Sequence, residues 1–483
     1  MRTFRRVPVW TVTIRRPDYT STSLAYVEVP EWSRGGTKVD KIQFVSAVEK
    51  ADGISNYTDC VEYSYENALG NPAGKFSLSL MPRQDSNGLT WADKLEPNDL
   101  VSISEFGKVR YIGLVRMRSY SSSMDASGKP SRKVTISGES IGGRLQTFNL
   151  PMNTYLWYQA TSDADLNNKK FIHALNSNLE EDQTIEKMVT LIIETFLRVV
   201  TGRTNGGFQT ILNNYFSIDS EDLKVHYPMN IKPFDVNSNN LWSIVKSILP
   251  DPIYEVFGRY KNEKYNIVCR EVPFDTAKWD GLRITELDPL HLISQNLSTS
   301  DGEVYTHYFS QMPNAVFSKN ALYASTDLPS VSVFDTEKLG TYGYKEMEAI
   351  FPFFNKVKGK NKEYKEFLKE NSVRLYAWFK NNLEFYSGTI TMMTVPDENN
   401  EYISIGERIK YLKGSSNSIE FYVESVKRTM NYPGTMKTTY GVTRGYEYGS
   451  ETVTVDSVTV NTPQVKKISK MCVKLIQAEK EAL

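Results

Sequence analysis

The chain has 483 residues, and domains usually hold roughly 100–200, so three or four packed units are expected. Its hydrophobic fraction of 40% and charged fraction of 24% are those of an ordinary globular protein. Lys plus Arg (57) balances Asp plus Glu (57), which argues against tight DNA binding by phosphate neutralisation but leaves room for a neutral pore through which DNA slides.

The 29 Tyr, 22 Phe and 7 Trp favour pleated, half-buried surfaces and interfaces. Cys60, Cys269 and Cys472 lie far apart with no CxxC pair, so neither a disulfide framework nor a zinc site is expected. The opening MRTFRRVPVWTVTIRRPDY has basic residues but no apolar run behind them, unlike a secretory signal. No stretch approaches the roughly 18 apolar residues of a membrane span. Folding in the cytoplasm, with no membrane anchor, is the expectation.

The first third reads as β structure, with strands over Lys41–Val48, Lys75–Leu80, Leu100–Ser104, Val109–Val115 and Lys133–Ser137. Turns are expected at Asp85–Gly88 and over Asp125–Pro130 around Gly128. Short strands at close spacing suggest a barrel or sandwich. From Thr184 to Val200 the apolar residues Ile185, Met188, Val189, Ile192, Phe196 and Val199 follow helical spacing, between an Asp182 N-cap and a Gly202 stop. A second helix over Leu241–Ile248 buries Leu241, Trp242, Ile244, Val245 and Ile248, and Pro250 and Pro252 follow it. A hairpin joins Ile253–Phe257 to Tyr265–Val268.

Residues 355–371 are Lys-rich, but Glu363, Glu366 and Glu370 interleave, so this is a solvated loop entering a helix rather than a phosphate-facing patch. That helix runs on through Tyr376, Trp378 and Phe379 to about Asn382. A last β region spans Glu384 to about Tyr448. The tail holds a Val/Thr-rich stretch (Thr452–Val460), Pro463, and an amphipathic helix with Ile468, Met471, Val473, Leu475 and Ile476, read as a partner-binding arm or a docked terminus.

Three elements recur in the same order. The first set is Asp99-Leu-Val-Ser-Ile103, Tyr111-Ile-Gly-Leu-Val-Arg116 and Lys133-Val-Thr-Ile-Ser-Gly138. The second is Glu407-Arg-Ile-Lys-Tyr411, Tyr422-Val-Glu-Ser-Val-Lys427 and Tyr440-Gly-Val-Thr-Arg-Gly445. An acidic residue opens a strand, a Tyr strand follows, and a third strand closes on Gly. One chain then carries two related β units, and three chains in a ring present six.

The segments Trp378–Asn382, Phe385–Thr391, Ile405–Ile409, Glu420–Val426 and Tyr440–Gly445 resemble the late baseplate hub proteins of Gram-positive tailed phages and phage-tail-like particles. Trp91 with Leu95, Asp99-Leu-Val, Gly113-Leu-Val and Ile136–Gly138 resemble the same family, as do Leu241-Trp242, Glu255–Phe257 and Arg270–Phe274. The resemblance runs in scattered stretches from about residue 40 to 446 and leaves 155–216 and the tail after Ser450 unmatched. It implies a β-rich α+β multidomain protein with two similar tube-type β-barrels separated by an α+β insert, and a C-terminal arm. The implied division is 1–150, an N-terminal segment and first barrel; 151–285, the insert; 286–450, the second barrel with its lead-in helix; and 451–483, the arm. It further implies a homotrimeric ring between the tail tube or a tube-initiator protein and the central spike or tail tip. Baseplate wedge proteins would flank it. Its channel would hold tape-measure protein and pass DNA without sequence-specific binding. Such a protein sits in the virion tail baseplate, assembled in the bacterial cytoplasm.

Catalytic patterns are not found. His173, His226, His291 and His307 form no HExxH, there is no GxSxG, and Gly202 and Gly206-Gly207 are turn glycines rather than a phosphate loop. Glu180, Glu181 and Asp182 complement a helix N-terminus. No catalytic, cofactor or metal residue is therefore assigned, and no enzyme is expected. A tail-associated peptidoglycan hydrolase, which needs paired carboxylates or a Cys/His pair, and a glycan-binding receptor module using the aromatics are the rival readings.

Overall fold

Alternating apolar and polar residues dictate strands in the first third, and the structure forms them. The computed structural model describes residues 9–147 and 208–466 except 22, 34–35, 47–52, 54, 125–129, 220–229, 232–239, 312–330, 352–353, 356–360, 398–399, 414–416, 433 and 456, and it also describes Val189 and Thr190. The architecture is β-rich with few helices, dominated by one 15-stranded sheet.

A first module comprises β1 (Trp10–Arg15), β2 (Lys41–Val45), β3 (Asn56–Tyr57), β4 (Cys60–Ala68), β5 (Asn71–Leu80), β6 (Leu100–Glu105), β7 (Lys108–Met124) and β8 (Pro130–Ser140). These include the five expected runs as far as they are described. Their order across the sheet is β4-β5-β8-β7-β6-β1-β2-β3. In a flat sheet β1 and β4, five places apart, would lie roughly 24 Å from each other. Instead the rings of Trp10 and Tyr63 meet at 5.4 Å, and Tyr63 Oη donates to Glu105 Oε1 at 2.8 Å. The sheet is therefore rolled around a core that includes Val12, Phe44, Leu78, Ile103 and Ile136. The Asp85–Gly88 turn forms as expected, with Gly88 at φ +78° and its N–H on Asp85 O.

Between the modules, the helix Leu241–Ile248 has the five expected residues buried, and Asn240 Oδ1 caps it by accepting from Ser243 N–H at 2.8 Å. Strands β9 (Phe216–Asp219) and β10 (Asn230–Ile231) precede it. The expected hairpin follows as β11 (Tyr254–Lys261) and β12 (Lys264–Glu271), with β9 added parallel to β12. The helix expected over 184–200 falls almost wholly outside the described residues; Val189 and Thr190 are helical, and Val189 is buried.

The second module begins with β13 (Ile284–Leu287) and β14 (Leu292–Ser298). An α/β unit then interrupts it, with β15 (His307–Gln311), β16 (Val331–Phe334), β17 (Glu346–Ile350) and β18 (Phe354–Asn355) leading to the expected long helix, Asn361–Phe379. The module resumes with β19 (Tyr386–Met393), β20 (Arg408–Lys413), β21 (Asn417–Asn431), β22 (Thr435–Val455) and β23 (Val458–Lys466). Its order is β14-β19-β22-β21-β20-β13, around a separate core that includes Ile390, Ile409, Phe421 and Val423.

The tail stretch to Lys466 is docked. Val453 and Val460 join the main core, Lys380 Nζ meets Glu451 Oε1 at 2.6 Å, and Thr276 Oγ1 donates to Asn461 O at 3.2 Å. The expected amphipathic helix beyond, with Cys472, lies outside the described residues.

The repeat is a repeat of structure. In both modules five strands share one spatial order and one antiparallel sense, with β4, β5, β8, β7 and β6 matching β14, β19, β22, β21 and β20. A single row across each sheet fixes the match. Tyr65, Phe76, Gly138 and Val115 are successive partners in the first, and Leu297, Gly388, Val442 and Val423 in the second. Next to each valine sits a bulge, at Arg116 and at Glu424. The residue that matches Tyr422 in register is Leu114, not Tyr111, because Leu100 pairs with Leu114 as Arg408 pairs with Tyr422.

The acidic strand openers do the same work twice. Asp99 Oδ2 accepts from Glu96 N–H at 2.7 Å, and Glu407 Oε2 accepts from Ser404 N–H at 3.0 Å. The residue before each has positive φ, Asn98 at +70° and Gly406 at +75°, and its N–H bonds Val115 O or Val423 O. A Cβ at Gly406 would collide with the Arg270 guanidinium. Each carboxylate also receives an arginine, Arg16 on Asp99 at 2.9 Å and Arg283 on Glu407 at 3.5 Å. Burial raises both carboxyls above the usual range, and the backbone and arginine contacts pull against it.

Asp99→Ala is expected to destabilise by about 2 kcal/mol, since it removes the turn bond from Glu96 N–H and the most buried partner of Arg16, whose side chain is 18% exposed and keeps only Glu96 and Lys94 O. Glu407→Ala should cost clearly less, because Arg283 is 37% exposed. Guanidinium denaturation of both variants checks the ranking.

Candidate assembly interface

The two modules are joined by main-chain pairing. At the Glu424 bulge β21 leaves β20, and its far half pairs antiparallel with β4, from Ser425 opposite Ala68 to Asn431 opposite Glu62. Met430 and Met436 from the β21–β22 hairpin enter the core of the first module.

Arg428 sits buried in this seam. Its guanidinium lies 3.9 Å from the Tyr402 ring centre, donates to Tyr65 Oη at 3.0 Å and reaches Ile403 O at 3.3 Å. Burial works against its charge, but Tyr65 and Glu105 outweigh that and hold its pKa above the ordinary value. Arg110 covers the same Tyr402 ring at 4.2 Å, and its neighbour Lys108 pairs with Glu401 at 2.8 Å. The β11–β12 hairpin wedges in from one side. Arg270 bonds Glu255 at 3.0 Å, Tyr422 Oη at 2.8 Å and Gly406 O at 2.9 Å. Phe257 and Val268 enter the second core, while Tyr260 Oη donates to Ile112 O and Tyr265 Oη to Pro72 O in the first module. Arg270 opens a segment that carried the family resemblance, but Arg428 and Arg110 stand in no motif, and the roles of all three are visible only once residues distant in the chain are paired.

Among the described residues, those weighed for chemistry are not brought together. His173, His226, Glu180, Glu181, Asp182, Gly202 and Gly206-Gly207 lie outside the described residues, as do Lys356, Lys358 and Lys360. His291 lies 3.8 Å from Asp288 within one turn. His307 stacks on Phe334 at 4.2 Å and on Phe309 at 4.8 Å, and its Nδ1 is 2.9 Å from Tyr344 Oη; burial lowers its pKa against the pull of Glu346. Phe334 and Tyr344 are half exposed, so this is the aromatic surface a glycan-binding reading would use. Cys60 and Cys269 are buried, and burial pushes both thiols up. Among the described residues no group of three or more His, Cys, Asp or Glu is arranged to hold a metal ion, and no helix is long and apolar enough to cross a membrane.

A cleft of about 630 Å³ carries the carboxylates Asp251, Glu255, Glu303 and Glu424, and Asp251 is paired with Lys246. Glu255 is taken by Arg270 and by Tyr422 Oη at 2.6 Å. Glu424 accepts from Thr443 Oγ1 at 2.8 Å, and burial raises its carboxyl. Among the described residues, no His or Cys lines this cleft.

No family profile matches the chain, and no curated protein matches its sequence. Solved structures similar to it include a tail protein from Neisseria meningitidis MC58, at 10% identity and TM-score 0.48, over 90% of this chain and 96% of that one. Another is the 43 kDa tail protein of prophage MuSo2 from Shewanella oneidensis, at 10% identity and TM-score 0.46, over 83% and 95%. A third is a type VI secretion system component of E. coli, at 8% identity and TM-score 0.37, over 80% and 74%.

Arg428→Ala should destabilise by about 3 kcal/mol, with Arg428→Lys recovering only part, because Lys lacks the planar fork that reaches Tyr65 and Ile403 together. Chemical denaturation measures both. Glu424→Gln should stabilise at pH 7. The folded carboxyl has the raised pKa, so its cost is full above that pKa and vanishes below the unfolded value; the gain should therefore fade as pH drops toward 4. Thermal melts at several pH values read this out.

Proposed function

We propose that this chain is the structural baseplate hub of a phage tail or phage-tail-like particle, of the kind carried by Gram-positive phages. The observation that carries the reading is the duplicated five-strand module, matched down to its bulge and its carboxylate-braced turn, in a single polypeptide. Two rolled modules per chain let three copies form a collar of six similar units. Such a collar meets a sixfold tube on one face and a threefold spike or tail tip on the other.

On this reading each module is a tube-type barrel. The first lies within 1–150, and the second is formed by strands within 286–450. The insert of 151–285 and the α/β unit that interrupts the second barrel form the outer wall that wedge proteins grip, and 451–483 is the arm. The seam supports a permanent structural role: main-chain pairing, buried methionines and arginine–aromatic stacking resist shear when a tail fires. Balanced charge suits a channel holding tape-measure protein and then passing DNA, since a strongly basic lining would retain phosphates. The protein's place is the tail baseplate, assembled in the host cytoplasm.

Native mass spectrometry of the purified chain should give a trimer, and electron microscopy a ring with six lobes. A monomer at tens of micromolar, or clear peptidoglycan release, would sink the hub reading.

A further inference from the structure

A second cleft opens at the seam, where three parts of the chain meet. Its volume is about 250 Å³. Its lining includes Arg110 of β7, Arg259 of β11, Arg428 of β21 and Tyr402 from the loop before β20, with Lys108 and Lys261 beside them. Five cations there meet two carboxylates, Glu263 and Glu401. Glu263 is exposed, and Glu401 is shared by Lys108 at 2.8 Å and Arg110 at 3.4 Å. Asp219 takes Arg259 at 2.7 Å. Arg428 forms no ion pair among the described residues, and Glu105, which is bonded to Tyr63, acts on it only through space.

The polar atoms without a partner in this lining are of one kind. Arg110 Nε, Arg259 Nε and Arg428 Nε are N–H donors, and Tyr402 Oη carries a proton to donate. Burial raises the Tyr402 pKa, so the hydroxyl keeps that proton. The one acceptor among them, Asn67 Oδ1, is turned against Gly74. Arg110 and Arg428 are only 8% and 7% exposed. Buried donors on charged groups are normally satisfied, and two arginines held near each other out of water repel unless an anion joins them. Their guanidinium carbons lie 4.2 and 3.9 Å from the centre of the Tyr402 ring, so no more than the sum of those distances separates them. One tetrahedral oxyanion spans that gap.

We propose that this cleft binds a free tetrahedral oxyanion, phosphate or sulfate, which accepts from Arg110, Arg428, Arg259 and Tyr402 at once. The volume falls below the roughly 300–1,000 Å³ of sites that enclose larger organic ligands, which favours a small ion. Bound there, the ion ties the first module, the β11–β12 hairpin and the second module together, adding a stitch to the main-chain seam. The site stands whether or not the chain is a hub.

The test uses the full chain. In equilibrium dialysis at constant ionic strength in sodium chloride, radiolabelled phosphate should bind saturably at one ion per chain, with sulfate competing. Phosphate should also raise the melting temperature relative to chloride, because it binds the folded state. Tyr402→Phe keeps the ring on which both arginines stack and removes the unpartnered hydroxyl. It should melt like the parent in chloride and bind phosphate about tenfold more weakly, the loss of one hydrogen bond to a charged group. Lys261→Gln, at an exposed position in the lining, should weaken binding severalfold, whereas Lys264→Gln, on the same hairpin outside the lining, should not. If Tyr402→Phe folds poorly, the two lysine variants decide. Lack of saturable phosphate binding overturns the site. So does binding that Tyr402→Phe and Lys261→Gln both leave unchanged, or that Lys264→Gln weakens as much as Lys261→Gln, since the ion would then be held elsewhere or by diffuse surface charge.

Discussion

A bulge is where this fold is decided. β21 is 15 residues long and must serve two neighbours on the same edge, β20 first and β4 afterwards. A regular strand would continue alongside β20 and leave the modules as separate bodies. The extra residue at Glu424 breaks the ladder and re-aims the strand, and the vacated edge accepts Leu69 N–H on Glu424 O at 2.8 Å as β4 arrives. The braced turn at Ser404–Glu407 holds this in place. Gly406 and Glu407 bond both main-chain groups of Val423, so the point at which β20 lets go of β21 is fixed on both strands at once.

The rest of the buried chemistry stabilises that junction. A seam made only of main-chain bonds can slip by two residues without losing its facing pattern. Arg428 opposes that slip, because its hydrogen bonds to Tyr65 and Ile403 and its stacking on Tyr402 are satisfied together in one register. Arg270 does the same for the hairpin, binding Glu255 on its own sheet and Tyr422 and Gly406 on the other. Buried charges of this kind add little net stability compared with apolar packing, but they make misalignment costly.

How far the sequence reveals this follows the range of the interactions. The span and buried face of the helix Leu241–Ile248 were legible, because helical periodicity and the prolines beyond it are local, while its Asn240 cap was not singled out. So were β2, β5, β6, β7 and β8 of the first module, whose partners mostly lie nearby in the chain, whereas β1, β3 and β4 were not expected. The acidic openers Asp99 and Glu407 were correctly paired, since their role is set by a turn three residues long. Matching Tyr111 to Tyr422 went three residues astray. Residue identity drew two bulky β-formers together, while register is set by turns: Phe106-Gly107 closes β6–β7 tightly, and the β20–β21 connection is longer. The β15–β17 sheet escaped notice because its strands are four or five residues long and two of them pair in parallel across a connection. The seam itself leaves no local trace, its partners Tyr65 and Arg428 being 363 residues apart.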